Sequence, residues 1–398
     1  IVVGIVVVVG IGTGHWHRSR PGLCRSTWYL LPRANIPCPR SSMTLPLSER
    51  WLYAKRARRR LASAVAAPYG AATALRRIGY ARGWLTSQTA PVSVVSVGSP
   101  LIGGGGKTPA VLLCAQILGE LGAPSVIVSR GYGRTQQAPV LLSVDDRATA
   151  WEAVGDEPAM LLEQLRRAGR HDVRLAIGAD RHAALTQSLT RFPGTRLALL
   201  DDGLQHLALH RDLDLVLLSK DVEDCAPFPL GALREPLRRL PQGAIFWHHC
   251  GDGSAPSREV SGIPCEIGSH YEVGELRQVW PEARDPTVEA LSDRTIARRP
   301  VVLASAVGRN QNVRILAERH GLEVVHHLAL RDHAAFGDEA LRALSASGLP
   351  LVTTEKDLPR LLPRLQATDY PSTVATLGVA MVLDWGADAL RDALKGLI

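Results

Sequence analysis

The stretch Pro91–Pro109, PVSVVSVGSPLIGGGGKTP, limits the folds open to this chain more than any other. Val92–Val97 is a short β-branched run that suits a buried strand. Four glycines follow, Gly103, Gly104, Gly105 and Gly106, then Lys107-Thr108 and the apolar helical stretch AVLLCAQILGEL. Strand, glycine loop, Lys-Thr and helix form the layout of a P-loop. Glycines let backbone N–H groups close on phosphate oxygens, and the helix N-terminus adds partial positive charge. Lys107 is placed to reach the β- and γ-phosphates of ATP, and Thr108 to ligate Mg²⁺. The usual first glycine of such a loop falls on Leu101. A glycine-rich turn that binds no nucleotide is the alternative, and the flanking strand and helix argue against it.

A chain of 398 residues can bury a full core and divide into two domains. Its net charge of +8 suggests an anionic partner: nucleic acid, a lipid surface or a phosphorylated substrate. Only 5% of residues are aromatic, and few sit among the basic ones, which argues against a platform for single-stranded nucleic acid. Six cysteines (Cys24, Cys38, Cys114, Cys225, Cys250 and Cys265) form no C-x-x-C pair and read as reduced cytosolic thiols. His248-His249-Cys250 resembles a metal fragment, yet no second cluster is spaced to complete it.

Residues 1–42 look foreign to the rest. Their Gly/Val run is too short to span a bilayer, and Met43 opens more ordinary sequence. An upstream extension is expected there, with a signal anchor as the alternative. Residues 43–90 carry eight basic side chains between Trp51 and Ala90 and no acidic one. Tyr53, Ala57, Leu61, Ala64 and Val65 share one helical arc, while Lys55, Arg56, Arg58, Arg59 and Arg60 fill the other. That pattern suits an interfacial membrane helix, broken at Pro68-Tyr69-Gly70, although an ordinary surface helix with a solvated basic face has the same pattern.

From Pro91 onward, strands at Ser125–Ser129, Val173–Ile177, Arg196–Leu200, Leu213–Leu218 and Ala244–Trp247 alternate with helices at Thr108–Leu121, Glu157–Ala168 and Arg181–Leu189. The expected fold is α/β, a P-loop NTPase-type, mostly parallel sheet flanked by helices, with a second smaller α/β domain and the basic N-terminal helical segment. The expected boundaries are 91–285 for the P-loop domain and 286–372 for the smaller one. Residues 373–398 supply a strand and helix that pack back on the first domain. Ligands in such sheets sit beyond the carboxyl ends of the strands.

Motifs at those strand ends carry the chemistry. The strand Leu197–Leu200 ends in Asp201-Asp202-Gly203-Leu204-Gln205-His206, a Walker-B arrangement able to hold Mg²⁺. Gln205 and His206 are candidates to contact substrate. Ser129-Arg130-Gly131-Tyr132-Gly133-Arg134 offers Arg130 and Arg134 on a flexible loop, which suits phosphate recognition. Asp156 of Gly155-Asp156-Glu157-Pro158 sits where a helix N-cap would. Arg234-Glu235-Pro236, Asp332-His333 and Thr354-Glu355-Lys356-Asp357 complete the set.

In this order, VGSPLIGGGGKTP, SRGYGR, GDEP, DDGLQH, GALREP, the Asp-His pair and TTEKD resemble the tetraacyldisaccharide 4′-kinase family. The resemblance runs from about Met43 to the C-terminus. It implies ATP-dependent phosphorylation of the 4′-hydroxyl of a tetraacylated glucosamine disaccharide 1-phosphate, in lipid A biosynthesis at the cytoplasmic face of the Gram-negative inner membrane. It also implies two α/β/α domains joined by a two-stranded linker, with the site in the cleft between them. Asp156 is then the base, paired with His333, while Asp201, Asp202 and Glu235 serve the metal and the site. Peripheral membrane association is implied; nucleic acid and an obligate protein partner are not. The chain departs from the family pattern at Ser99, Leu101, Gly105 and Ala306–Asn310. A membrane-associated P-loop ATPase acting as a switch or positioning protein shares the loop, the aspartates and the basic helix. It needs neither GDEP nor the Asp-His pair.

Overall fold

The computed structural model describes residues 59–103, 105–132, 134, 138–146, 151–280 and 300–398. The expected extension over 1–42, the basic residues Lys55, Arg56 and Arg58, and Gly104 of the loop lie outside the described residues.

Short apolar runs become strands because their side chains are buried on both faces, as a parallel sheet between helix layers requires. The P-loop half is built from β1 (Ser93–Gly98), α2 (Lys107–Glu120), β2 (Ser125–Ser129), β3 (Val140–Ser143), α3 (Trp151–Val154), α4 (Asp156–Arg167), β4 (Val173–Ile177), α5 (Arg181–Arg191), β5 (Leu197–Asp201), β6 (Leu213–Leu218) and β7 (Ile245–Cys250). It is preceded by α1 (Arg59–Ala81) and followed by the small hairpin β8 (Glu259–Val260) and β9 (Ile263–Pro264). Then come β10 (Ile267–Trp280), β11 (Pro300–Ser305), α6 (Asn310–Arg319), β12 (Glu323–Ala329), α7 (Asp338–Ser347), β13 (Leu351–Thr354), α8 (Leu358–Ala367), β14 (Val374–Trp385) and α9 (Ala387–Lys395).

One twelve-stranded sheet runs through both halves in the order β12-β11-β13-β14-β10-β7-β6-β1-β5-β2-β4-β3. Its pairs are parallel except at the β3 edge and at β10–β14. Alternation along β1 explains the two layers. Val95 and Val97 enter the core under α2, α4 and α9, while Val94 packs with Ala184 and Leu185 of α5 on the other face. In the second half Val302 and Ala304 face α7 and α8, and Val301 and Leu303 face α6. Each fully buried Val or Leu among these contributes roughly 1.5–3 kcal/mol relative to exposure.

One local expectation changes, and two elements form where the sequence shows no clear pattern. Pro68 lies inside α1 and does not end it. The 14-residue strand β10 occupies a stretch whose Gly/Pro/Ser content hid it. Its pairing with β14 shifts register between Val273 and Glu275, so hydrophobic alternation is interrupted at Gly274. Helix α8 carries two prolines: Pro359 falls in its first turn, where the missing N–H is no loss, and Pro363 lies inside the helix.

The tail divides its contacts. Strand β14 pairs with both β13 and β10, whereas Leu390 and Leu394 of α9 join the core beneath α2.

Candidate active site

At the carboxyl end of β1 the chain turns through Gly103 and Gly106, both at positive φ (82° and 78°). Gly106 needs glycine twice over, since a Cβ there would also lie 2.5 Å from Cδ2 of His249. Helix α2 begins at Lys107, and no side chain caps its first N–H groups. They remain for an anion. His249, read above as part of a metal fragment, instead packs beneath this loop. Its Nδ1 meets Ser269 Oγ at 3.0 Å, and burial pushes its pKa down to about 3. Leu101 is buried beside Leu204 and Leu233, so a core contact replaces the usual first glycine.

Strand β5 delivers Asp201 and Asp202 beside this loop. Asp202 adopts the left-handed conformation (φ 53°), a cost of order 1 kcal/mol that turns its carboxylate into the cleft. Lys107 Nζ is 3.6 Å from its Oδ1, and Arg234 donates to both of its oxygens at 3.1 and 2.9 Å. Burial opposes ionisation of Asp202, but Lys107 and Arg234 outweigh it and lower its pKa. Asp201 is the reverse case. Burial, then the nearby charges of Glu157 and Asp202, push its pKa up to about 7, and its buried Oδ1 has no hydrogen-bond partner. Gln205 Oε1 accepts from Arg234 at 2.8 Å while its Nε2 donates to the Ser99 carbonyl at 3.2 Å. Burial and the cations Arg181, Arg76 and Arg211 push His206 down to about 4, so it is neutral at physiological pH.

The second half closes over this floor. Asp156 opens α4, and Gly155 before it (φ 97°) allows the SRGYGR loop to pass within van der Waals distance. His333, also left-handed (φ 59°), places Nδ1 2.8 Å from Asp156 Oδ2. The Asp156 carboxylate is buried, which opposes charge, yet the His333 hydrogen bond and the cations Lys356 and Arg360 prevail and lower its pKa. The hydrogen bond to Asp156 raises that of His333. Further pairs tie the halves together: Lys356 to Glu157 at 2.9 Å, Arg167 to Glu355 at 2.6 Å and Arg309 to Asp221 at 2.8 Å.

Between the halves lies a cleft of about 1780 Å³. The structure brings Gly103, Gly105, Gly106, Lys107, Thr108, Arg130, Asp201, Asp202, Gln205, His206 and His333 to its walls. Three expected site residues stand elsewhere. Asp156 is buried, does not line the cleft and meets His333 through Oδ2. Arg134 donates to the carbonyls of Ala138 and Ile177 and braces its own loop. Glu235 is buried in an ion pair with Arg77 of α1. Likewise Arg76 donates to the Gln205 carbonyl, so two of the basic residues of the N-terminal segment pair with the P-loop half. Sequence reasoning passed over Arg181, whose guanidinium donates to the carbonyls of Asp201 and Asp202. Nothing local marks it, because its partners are 20 and 21 residues away.

An uncapped helix N-terminus with Lys and Thr, carboxylates on the next strand and an Asp–His pair across a cleft define a P-loop phosphotransferase. The family described as tetraacyldisaccharide-1-P 4′-kinase matches residues 58–398, and the chain belongs to it. A tetraacyldisaccharide 4′-kinase of Anaeromyxobacter dehalogenans (strain 2CP-C) is 35% identical over 346 residues, covering 82% of this chain and 88% of the relative. One from Thiobacillus denitrificans is 34% identical, over 71% of this chain and 80% of its own length. Among solved structures, the "apo" form of LpxK from Aquifex aeolicus, crystallised in complex with ATP, superposes with a TM-score of 0.65 at 25% identity. That likeness covers 85% of this chain and 99% of the other.

Proposed function

We infer that this protein is an ATP-dependent kinase that transfers the γ-phosphoryl group to the 4′-hydroxyl of a tetraacylated glucosamine disaccharide 1-phosphate. Family membership over residues 58–398 supports the reaction, and the ATP complex of the Aquifex relative supports the donor. The observation that carries the mechanism is the 2.8 Å contact between His333 and Asp156, made across the cleft that holds Lys107.

Phosphoryl transfer demands positioning and charge stabilisation more than covalent help from the enzyme. The free N–H groups at the start of α2 and the ammonium of Lys107 receive the phosphates. Thr108, Asp201 and Asp202 would hold Mg²⁺. The unpartnered Oδ1 of Asp201, in a carboxyl group whose pKa rises to about 7, is a donor set suited to a cation. Among the described residues no group of three His, Cys, Asp or Glu side chains closes on a metal by itself. Such a site fits an ion that takes its remaining ligands from phosphate and water. When bound, Mg²⁺ supplies neutralisation of charge on the β- and γ-oxygens. Glu235, held by Arg77, acts in this reading through the fold and not as a ligand.

His333 Nε2 receives the proton of the 4′-hydroxyl as its oxygen attacks the γ-phosphorus and the bond to the β-phosphate oxygen breaks. Asp156 accepts the Nδ1–H and stabilises the imidazolium. The expected roles of the pair are thereby exchanged: the aspartate is buried, and the imidazole meets the cleft. Arg130 is the candidate to bind a substrate phosphate, with Gln205 and His206 beside it. Purified protein with Mg²⁺ is expected to move radiolabel from the γ-position of ATP to the tetraacyldisaccharide 1-phosphate. Hydrolysis of ATP without labelled lipid would exclude the reading and favour a switch ATPase.

Peripheral membrane association is part of the same proposal. Among the described residues no helix is long and apolar enough to cross a membrane. Leu75 and Trp84 are 63% and 65% exposed, near Val65, Ile78 and Leu85, and the Arg82 guanidinium lies over the Trp84 ring. Each basic residue near an anionic surface contributes about 1 kcal/mol. The protein is expected to float with anionic vesicles, less so at high salt, and Trp84→Ala combined with Leu75→Ala to weaken it. Flotation unaffected by the double substitution would remove this surface from the account.

A further inference from the structure

We propose that Lys356, in the turn before α8, is a positioning residue that holds His333 with its Nε2 unprotonated and presented to the cleft until the sugar hydroxyl arrives. The proposal deepens the reading above and rests on His333 as the proton acceptor.

Lys356 Nζ lies 2.9 Å from Glu157 Oε1, 3.1 Å from Asp332 Oδ1 and 3.3 Å from His333 Nε2. An ammonium has three N–H donors and no acceptor. Its hydrogen bond to Nε2 therefore requires a lone pair on that nitrogen, leaving the ring proton on Nδ1, where Asp156 accepts it. Two opposite partners fix one tautomer. The His333 contact is the longest of the three. A hydroxyl can take the Nε2 lone pair while Lys356 keeps both carboxylates.

Rigid supports place the three groups. Thr354 Oγ1 donates to Asp357 Oδ2 at 2.7 Å, and fully buried Asp357 accepts from the Ala306 N–H at 2.9 Å. The His333 N–H donates to the Ala306 carbonyl at 3.1 Å. The lysine turn and the histidine loop thus hang from one residue. Glu157 follows Asp156 on α4, so Lys356 also reaches the P-loop half.

The groups facing His333 are few. Asp156 and Glu157 come from α4, Asp332 from its own loop and Lys356 from the opposite turn. Tyr132 contributes a ring 5.2 Å away, and Arg360 of α8 stands 3.7 Å behind Asp156. Asp156 and Asp332 favour the imidazolium, whereas burial and Lys356 disfavour it. Without Lys356, three carboxylates remain around the ring and Nε2 gains a proton to share with Asp332.

Lys356→Met is therefore expected to move the acidic limb of the kcat–pH profile upward by about one unit, as loss of a close charge does. Turnover near neutral pH then falls roughly tenfold relative to turnover in alkali. Lys356→Gln, which keeps a donor without the charge, should shift the limb in the same direction, and Lys356→Arg should restore it. Nitrogen NMR of the folded Lys356→Gln protein, with histidine labelling and His333→Ala for assignment, should show His333 passing from the Nδ1–H tautomer to the imidazolium. A pH-independent loss of kcat with unchanged His333 resonances would overturn the proposal and leave Lys356 a structural residue. Full activity of His333→Ala would overturn the base assignment beneath it instead.

Discussion

Lys107→Ala is expected to lower kcat by about 10²–10³-fold, the usual loss when one group stabilising transition-state charge is removed. The effect should fall more on kcat than on KM for ATP. The N-terminal N–H groups of α2 persist in the variant and still bind phosphate, because no side chain of the protein caps them. What disappears is the lysine of the loop, whose ammonium lines the cleft 3.6 Å from Asp202. Asp202 also loses a partner, although Arg234 still donates to both of its oxygens. Steady-state kinetics with varied ATP will separate the two parameters. Near-normal kcat would mean that the glycine loop is not where the γ-phosphate sits.

Asp156→Asn should cost about 10²–10⁴-fold in kcat, the range for general acid–base catalysis, and should move the pH profile in a defined direction. The carboxylate raises the pKa of His333, so the amide variant lowers it and the acidic limb moves to lower pH. That shift is opposite to the one expected for Lys356→Met. Stability carries a matching signature through linkage. The lowered pKa of Asp156 gives stability that is present above its ordinary value of 3.8 and lost as pH falls through the folded value. The raised pKa of His333 gives stability that is full below its ordinary value of 6.5 and lost as pH rises through the folded value. Thermal melts of wild type and Asp156→Asn should therefore differ most between those two values. A variant that loses activity with no change in either profile would show that the pair does not share a proton.

The glycine loop, the aspartates after β5 and the alternation of strands and helices were legible because each is local. A β-branched run, a strand end and a helix start constrain only their own neighbours. Strand β10 was not legible, since its partner β14 lies about a hundred residues away and a register shift breaks its alternation. The partners of Glu235 and Arg134 were not legible for a related reason. Their charge suggested ligands, and only the packed structure supplies Arg77 for the first and backbone carbonyls for the second. Lys356 stood in a motif with no visible task, because its three partners come from positions 157, 332 and 333.

The order of residues thus supplied the groups: backbone amides and a lysine suited to phosphate, carboxylates suited to a cation, and an aspartate and an imidazole able to share a proton. Direction was decided by tertiary structure, which buried Asp156, turned His333 toward the cleft and set Lys356 against it. Residue type sets what a side chain can donate or accept, whereas its protonation and exposure depend on neighbours brought near by folding.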